Sequence, residues 1–310
     1  MDGIGVTMCM LICLVGLPAS GKSEYSKKLK QKYDAIIFSS DELREEMFGD
    51  VNNQEHNSEV FQELHKRIKE HLKSGGNAIM DSTNISSKRR RSFLQELNKI
   101  DCVKICVVMA TPFEQCLENN DARDRKVPFE VIDRMYRHWN TPAMFEGWDS
   151  IEVVYWEGSK NSRNISHWLY EHINDNQYNP HHTMTIGQHC VAVGNQFEDD
   201  SLLMVAGYLH DCGKPYCMKF ENSKGEPTDT AHFYGHENVG AYDALFFDCE
   251  GERQLDVSLL VNLHMIPYYY EKNGGNERLR NKYKKLWGYE LGDDLFEYVT
   301  KLHEADKNAH

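Results

Sequence analysis

Residues 16–23 read GLPASGKS, which spaces two glycines, a lysine and a serine as G-x-x-x-x-G-K-[ST]. That spacing suits a phosphate cradle. Glycines let backbone N–H groups turn inward around anionic oxygens, and a helix starting at the lysine adds its partial positive charge. Gly16, Ser20, Gly21, Lys22 and Ser23 would form the turn. Lys22 would reach the β- and γ-phosphates of ATP, and the Ser23 hydroxyl would hold Mg²⁺. Two further carboxylates follow in short polar runs, Asp41 in SSDELR and Asp81 in DSTN. In phosphoryl transfer one carboxylate can take the acceptor's hydroxyl proton, the role expected of Asp41, and another can help to hold Mg²⁺, the role expected of Asp81. Either could instead cap a helix, although Arg44 one turn after Asp41 favours the base there. Arg123 and Arg125 precede Val127-Pro128, where guanidinium groups on a lid could stabilise charge on the phosphates.

A different chemistry is written into the second half, where most of the 15 histidines lie. His189, His210 and His264 sit in strongly apolar helical patterns, His232 and His236 in HFYGHENVGA, and Asp306 near the end. A single histidine in such a helix is commonly a hydrogen-bonded core residue. The adjacent pair His210-Asp211 is different, because burying a carboxylate beside an imidazole is costly unless a cation compensates. Imidazole with carboxylate suits Mn²⁺, Fe²⁺, Co²⁺, Ni²⁺ or Zn²⁺, and residue types alone do not choose among them.

The elements that must carry these groups can be read from hydrophobic period. MCMLICLVGL is an uncharged apolar run of strand length leading into the cradle, and a helical pattern follows it. YDAIIF, the run at Ala78–Met80, VKICVV and IEVVYW are further strands, each but the last feeding a helix. Alternating strands and helices imply an α/β fold with a parallel sheet and helices on both faces, its polar strand ends converging beside the cradle. The second half reads as all-α. EGSKNSRNISHW, residues 157–168, is polar and supplies the linker, so the expected domains are 1–158 and 165–310 with 159–164 between them.

The chain has 310 residues, 40% of them apolar and 11% aromatic, which fits a folded two-domain protein. No run is long enough to span a bilayer. Nine cysteines without a C-x-x-C pair suggest reduced, buried thiols and a cytoplasmic setting. The net charge of −13 argues against general nucleic-acid coating; residues 1–158 hold 21 basic against 25 acidic groups, the remainder 14 against 23. The basic run SSKRRRSF (86–93) could grip a strand end locally, or be a solvated helix face.

In order, GLPASGKS, SSDELR, DSTN, NNDARDRKVPFEVIDRMY and FEGWD resemble P-loop kinases of the phage polynucleotide-kinase type, over residues 8–158. The resemblance implies ATP- and Mg²⁺-dependent phosphorylation of 5′-hydroxyl ends. It makes Asp41 the general base, Arg44 the residue that binds the acceptor's phosphate, and Arg123 and Arg125 lid residues, Arg125 standing one residue nearer Val127-Pro128 than the pattern. The same broad family includes kinases of small hydroxyl compounds and of aminoacyl-tRNA.

Residues 165–310 resemble the HD phosphohydrolase superfamily, and HDCGKP, HFYGHENVGA and LVNLHM resemble the HD domain of bacterial CCA-adding enzymes. By that resemblance His189, His210, Asp211 and Asp306 are metal ligands, and His236 and His264 are the extra ligands of two-metal members. Lys214 would touch substrate phosphate, unless it is a surface lysine past a helix end. Together the two resemblances imply RNA end healing: a 5′-hydroxyl kinase with a 2′,3′-cyclic phosphodiesterase or phosphatase, whose products a separate RNA ligase could join. A small-molecule or nucleoside kinase fused to a nucleotide phosphohydrolase stays open, as does a regulatory HD module without turnover.

Overall fold

The computed structural model describes residues 8–51, 55–180, 183–290 and 293–309. They divide into two compact units. One runs to Pro128 and resumes at Pro142–Tyr155; the other comprises Phe129–Thr141 and the chain from Trp156 onward.

The first unit is built on five parallel strands: β1 (Cys9–Val15), β2 (Ala35–Ser39), β3 (Asn77–Asp81), β4 (Cys102–Ala110) and β5 (Ser150–Tyr155). Their order across the sheet is β2-β3-β1-β4-β5. Helices α1 (Lys22–Tyr33), α2 (Ser40–Phe48), α3 (Asn57–Lys73), α4 (Ser87–Glu96) and α5 (Phe113–Asp121) lie between successive strands. The central strand β1 is almost wholly buried, which is why its sequence is an unbroken apolar run without alternation. Its Ile12 and Leu14 share a core with Ile79 and Val107. The connection from β1 leads to one edge, whereas that from β3 passes to β4 on the other side of β1. This reversal opens a crevice at the carboxyl ends of the strands. Register fixes what meets there: Ser39 at the end of β2 pairs with Asp81 at the end of β3.

The second unit is helical. It contains α6 (Phe129–Tyr136), α7 (Ile165–Glu171), α8 (Ile186–Gly194), α9 (Ser201–Leu209), α10 (Lys214–Cys217), α11 (His236–Ala244), α12 (Gln254–Leu263), α13 (Ile266–Glu271), α14 (Glu277–Trp287) and α15 (Leu295–Asn308). The expected all-α character is qualified by a short antiparallel hairpin, β6 (Lys219–Glu221) with β7 (Pro227–His232), between α10 and α11. Capping defines the helices that carry the histidines. Thr185 and Gln188 form a reciprocal capping box at the start of α8, and Asp200 caps α9. Helices α8 and α9 pack closely because Gly207 lies against Gly194; a Cβ at Gly207 would come within 2.8 Å of the Gly194 Cα. That approach brings the histidines of the two helices together. The segment Phe129–Thr141 packs in this unit through Trp139, which is fully buried edge-on to Tyr242 at 4.9 Å, and through the Tyr136 hydroxyl, which donates to Asp243 at 2.6 Å.

Among the described residues no helix is long and apolar enough to cross a membrane. All nine cysteines are free and buried. Burial pushes the Cys13 thiol up to about 12, so it is no nucleophile near neutral pH.

Candidate functional site

The turn between β1 and α1 is held from several sides. Gly16 N–H donates to the Thr83 carbonyl at 3.0 Å, Thr111 Oγ1 donates to the Ser20 carbonyl at 3.0 Å, and Asn119 Nδ2 donates to the Ala19 carbonyl at 3.1 Å. Ala19 and Gly21 both adopt positive φ, 62° and 87°. The left-handed backbone at these two positions curls the loop into a nest whose amides face one side. Gly16 admits no side chain, since a Cβ would lie 2.6 Å from Ser20 Oγ and 3.2 Å from the Met109 carbonyl. The α1 N-terminus follows directly at Lys22, and its first-turn amides have no side-chain cap. The element geometry is that of an anion site.

Lys22 is buried, and its Nζ donates to the carbonyls of Gly16 at 3.0 Å and Leu17 at 2.6 Å, across the turn. Burial pushes its ammonium down to about 8, against the opposing pull of Asp81. Asp81 is itself buried at the end of β3, with the Ser26 hydroxyl 3.5 Å from its Oδ2. Ser23 is exposed on the first turn of α1. Cradle, lysine and acidic group therefore share one end of the sheet.

Asp41 is not the cap of its helix. Ser39 caps α2, its side chain accepting from Glu42 N–H at 3.3 Å, and Asp41 lies two residues later in the first turn with a half-exposed side chain. Each of its two oxygens accepts from an arginine: Arg44 Nη1 donates to Oδ1 at 2.8 Å and Arg125 Nη1 to Oδ2 at 2.8 Å. Arg44 is 4% exposed and also donates from Nη2 to Asn57 Oδ1 at 2.8 Å, while its Nε has no partner among the described residues. Arg123 is exposed, near enough to Lys22 to depress the lysine's proton affinity further.

The basic run at 86–93 is not a uniform surface patch. Arg90 is buried, its side chain 1% exposed, and forms a two-pronged pair with Glu146, Nε to Oε2 at 2.7 Å and Nη2 to Oε1 at 2.6 Å. Trp148 Nε1 donates to the same carboxylate at 2.9 Å, and Arg90 Nη1 donates to the Asn84 carbonyl at 2.8 Å. Lys88 and Arg89 remain exposed. Charge counting on the sequence could not separate these arginines, because only the partner 56 positions away explains Arg90.

In the second unit six side chains converge on one buried spot. His189, His210 and Asp306 offer donor atoms within 4.8 Å of one another, and so do Asp211, His236 and His264. Asp211 bridges the two groups, with Oδ2 3.3 Å from His210 Nε2 and Oδ1 3.2 Å from His236 Nε2. Each imidazole is oriented from behind. Nδ1 of His189, His210, His236 and His264 lies 2.7–2.9 Å from the backbone carbonyls of Ala309, Gly207, Phe233 and Val261 respectively. A carbonyl only accepts, so Nδ1 carries a proton and Nε2 is the atom left to meet a cation. These Nε2 atoms face each other across 3.2 Å in two pairs, His189 with His210 and His236 with His264. Four converging imidazole nitrogens and two carboxylates are a donor set that fits divalent transition cations. The surrounding groups reinforce the acidic character. Burial alone would raise Asp211, yet the Lys214 ammonium beside it holds it well below the carboxylate range. Burial and the facing imidazoles push His264 down to about 3, so it is neutral.

Lys214 is no surface lysine. It is buried, pairs with Asp211 Oδ2 at 2.6 Å and donates to Gln177 Oε1 at 2.7 Å. His232 stands apart from the cluster, its ring stacked on Tyr234 at 5.3 Å. Sequence reasoning missed two residues, Gln177 and Tyr268. The Tyr268 hydroxyl donates to Asp306 Oδ2 at 3.0 Å, which leaves Oδ1 turned to His189 at 2.9 Å. No spacing rule reveals a tyrosine 38 positions from its carboxylate.

Comparison with known proteins finds two families in succession along the chain. Residues 11–142 match the AAA domain family and residues 180–307 the HD domain family. Over 150 residues the chain is 32% identical to an L-seryl-tRNA(Sec) kinase of Methanococcus maripaludis, covering 47% of this chain and 58% of that one. It thus spans little more than half the length of that relative. Among solved structures, Kti12 of Chaetomium thermophilum in complex with ADP-AlF3 aligns with a TM-score of 0.41 and 18% identity, over 47% of this chain and 89% of that one. A chain of the Pnkp1/Rnl/Hen1 RNA repair complex aligns with a TM-score of 0.36 and 21% identity, over 42% and 44%. The protein joins a P-loop kinase-type AAA domain to an HD domain.

Proposed function

We propose that the protein heals the ends of broken RNA, phosphorylating a 5′-hydroxyl with ATP in its first half and removing a 2′,3′-cyclic or terminal phosphate in its second. The observation that carries this reading is the pairing, in one chain, of a phosphate cradle facing a clamped carboxylate with a six-donor cluster suited to phosphoester hydrolysis. Adding phosphate and removing it are both useful on one substrate when they act on opposite ends. Many nucleases leave a 5′-hydroxyl and a 2′,3′-cyclic phosphate, whereas joining needs a 5′-phosphate and a 3′-hydroxyl.

In the kinase half, the cradle amides and Lys22 bind the β- and γ-phosphates of ATP. Asp41, fixed by Arg44 and Arg125, accepts the acceptor's hydroxyl proton as the oxygen attacks the γ-phosphorus. The bond to the β–γ bridging oxygen breaks, and ADP leaves. Arg123 and Arg125 balance charge on the transferring group, and Arg44 holds the acceptor's own phosphate. Ser23 and Asp81 would hold Mg²⁺, which neutralises phosphate charge when bound.

In the HD half, His189, His210, Asp211 and Asp306 would hold one divalent cation, and His236 and His264 with Asp211 a second. When bound, such cations supply Lewis acidity and acidify water. The chain's part is to orient four imidazoles through their Nδ1 carbonyl bonds, to keep Asp211 and Asp306 ionised, and to place Lys214 where it can meet a substrate phosphate.

A second reading has one observation in its favour, the 32% identity to a kinase named for seryl-tRNA: the acceptor would then be the hydroxyl of an aminoacyl-tRNA or a small molecule. One assay separates them. An RNA bearing a 5′-hydroxyl and a 2′,3′-cyclic phosphate is incubated with γ-labelled ATP, Mg²⁺ and a series of transition metals. Label should enter the 5′ end and vanish in Asp41→Ala, while metal-dependent loss of the cyclic phosphate should vanish in Asp211→Ala alone. Transfer only to seryl-tRNA, a sugar or a free nucleoside would remove the end-healing reading.

A further inference from the structure

The first unit contains a cleft of about 330 Å³ between α3 and α4, floored by Cys13 of β1 and Met80 of β3. Its walls are aromatic and amide-bearing: Phe61, His65 and Phe93 with Asn57, Gln62 and Arg89. The rings are ordered by each other. His65 stacks on Phe93 with centroids 4.0 Å apart and planes at 21°, and Phe61 meets His65 edge-on at 6.1 Å. The Arg89 guanidinium lies over the half-exposed Phe61 ring at 5.9 Å. Burial pushes the His65 imidazole down to about 4, so near neutral pH the part-exposed His65 and Phe61 rings are uncharged, with Phe93 buried behind His65.

The cleft adjoins the clamped carboxylate. Asn57 lines it and accepts from Arg44, whose other nitrogen holds Asp41. On the opposite side Thr83 and Asn84 line it, the Thr83 carbonyl accepting from Gly16 of the cradle and Asn84 Nδ2 donating to the Leu14 carbonyl at 2.8 Å. A flat ligand in the cleft would thus sit next to the site of transfer. Its lining suits a flat heterocycle with a polar edge, since ring faces and a guanidinium stack on the plane and amides read the rim. A sugar or a serine side chain offers no such plane. The volume lies at the small end of ligand pockets and suits one base, not a duplex.

We propose that this cleft receives the nucleobase of the acceptor's terminal nucleoside, which makes the first half a kinase of nucleotide ends. The inference rests on the reading of Asp41 as the group facing the acceptor hydroxyl. The 5′-hydroxyl lies at Asp41, the following phosphate at Arg44 and the base between α3 and α4.

Calorimetric titration of the full chain with adenosine 3′-monophosphate, and with its abasic tetrahydrofuran counterpart, tests it. The base-bearing ligand should bind roughly ten- to hundredfold more tightly, the worth of one aromatic stacking partner. Ser58→Trp and Ser92→Trp, on exposed residues that line the cleft, should abolish the difference while ATP affinity and melting temperature hold, which shows the fold intact. Equal affinity for the two ligands in the unsubstituted chain, or a base advantage untouched in both variants, would overturn the proposal. Label transfer to a 5′-hydroxyl oligonucleotide reports on the kinase reading separately. Transfer without a base advantage rejects the cleft alone; a base advantage lost in the variants without any transfer upholds the cleft's ligand and rejects the kinase reading.

Discussion

Replacing Arg90 by methionine would remove one member of a fully buried ion pair. Glu146 would then keep a charge with 0% of its side chain exposed and lose both guanidinium bonds, retaining only the Trp148 indole. Breaking such a pair from one side costs about 3–5 kcal/mol, because the remaining charge is uncompensated. For a domain of roughly 150 residues each kcal/mol moves the melting temperature by about 2–4 °C, so the kinase-domain transition should fall by about 6–20 °C. Calorimetry with and without ATP identifies that transition, since only the nucleotide-binding unit is shifted by ligand. The double variant Arg90→Met/Glu146→Leu supplies the control. With both charges gone, the loss should shrink to about 1–2 kcal/mol, set by the Trp148 indole and the Asn84 carbonyl that lose partners. A single-variant loss under about 1 kcal/mol, or a double variant as unstable as the single one, would refute the argument that Arg90 is held for packing and charge balance.

Asp41→Asn keeps the shape of the clamp but removes the proton acceptor, and phosphoryl transfer should fall by about 10²- to 10⁴-fold with ATP affinity unchanged, as steady-state kinetics would show. Lys22, pushed down to about 8, loses its proton as pH rises through that value, so ATP binding above about pH 8 should take up a proton. Titrations in buffers of different ionisation enthalpy detect this, and Lys22→Met should abolish it. The unfolded lysine holds its proton to about 10.5, so the same burial should make the fold more stable as pH rises from about 8 to 10.5. Tyr268→Phe frees Asp306 Oδ2 from its donor, and metal affinity measured against a chelating dye should weaken by about 10- to 100-fold.

What the sequence revealed followed from local rules. The cradle spacing, the apolar run of β1 and the adjacent His210-Asp211 pair are short-range signals, and the order of strands and helices follows from hydrophobic period. The groups that hold those residues in place are long-range and left no local trace. Ser39 as the cap of α2 displaced one reading of Asp41, a matter of one or two positions that propensity does not resolve. Glu146 explains Arg90 only once β1, α4 and the loop before β5 are folded. Lys214 looked like a residue past a helix end, yet Gln177 and Asp211 draw it inward. Chain order also could not show that Phe129–Thr141 packs with the second unit.

That last segment governs how the protein can be taken apart. The polypeptide leaves one unit, contributes Phe129–Thr141 to the other, and returns before departing for good after Tyr155. A truncation near residue 158 would strip the C-terminal fragment of the Trp139 indole and of the Thr141 hydroxyl bonded to Ser258 at 2.7 Å. It would also leave an amphipathic helix, α6, dangling from the N-terminal fragment with Ile132 and Tyr136 uncovered. Inert halves from such a cut would say nothing about catalysis. Point substitutions such as Asp41→Asn and Asp211→Ala, made in the intact polypeptide, are the sound way to silence one activity at a time.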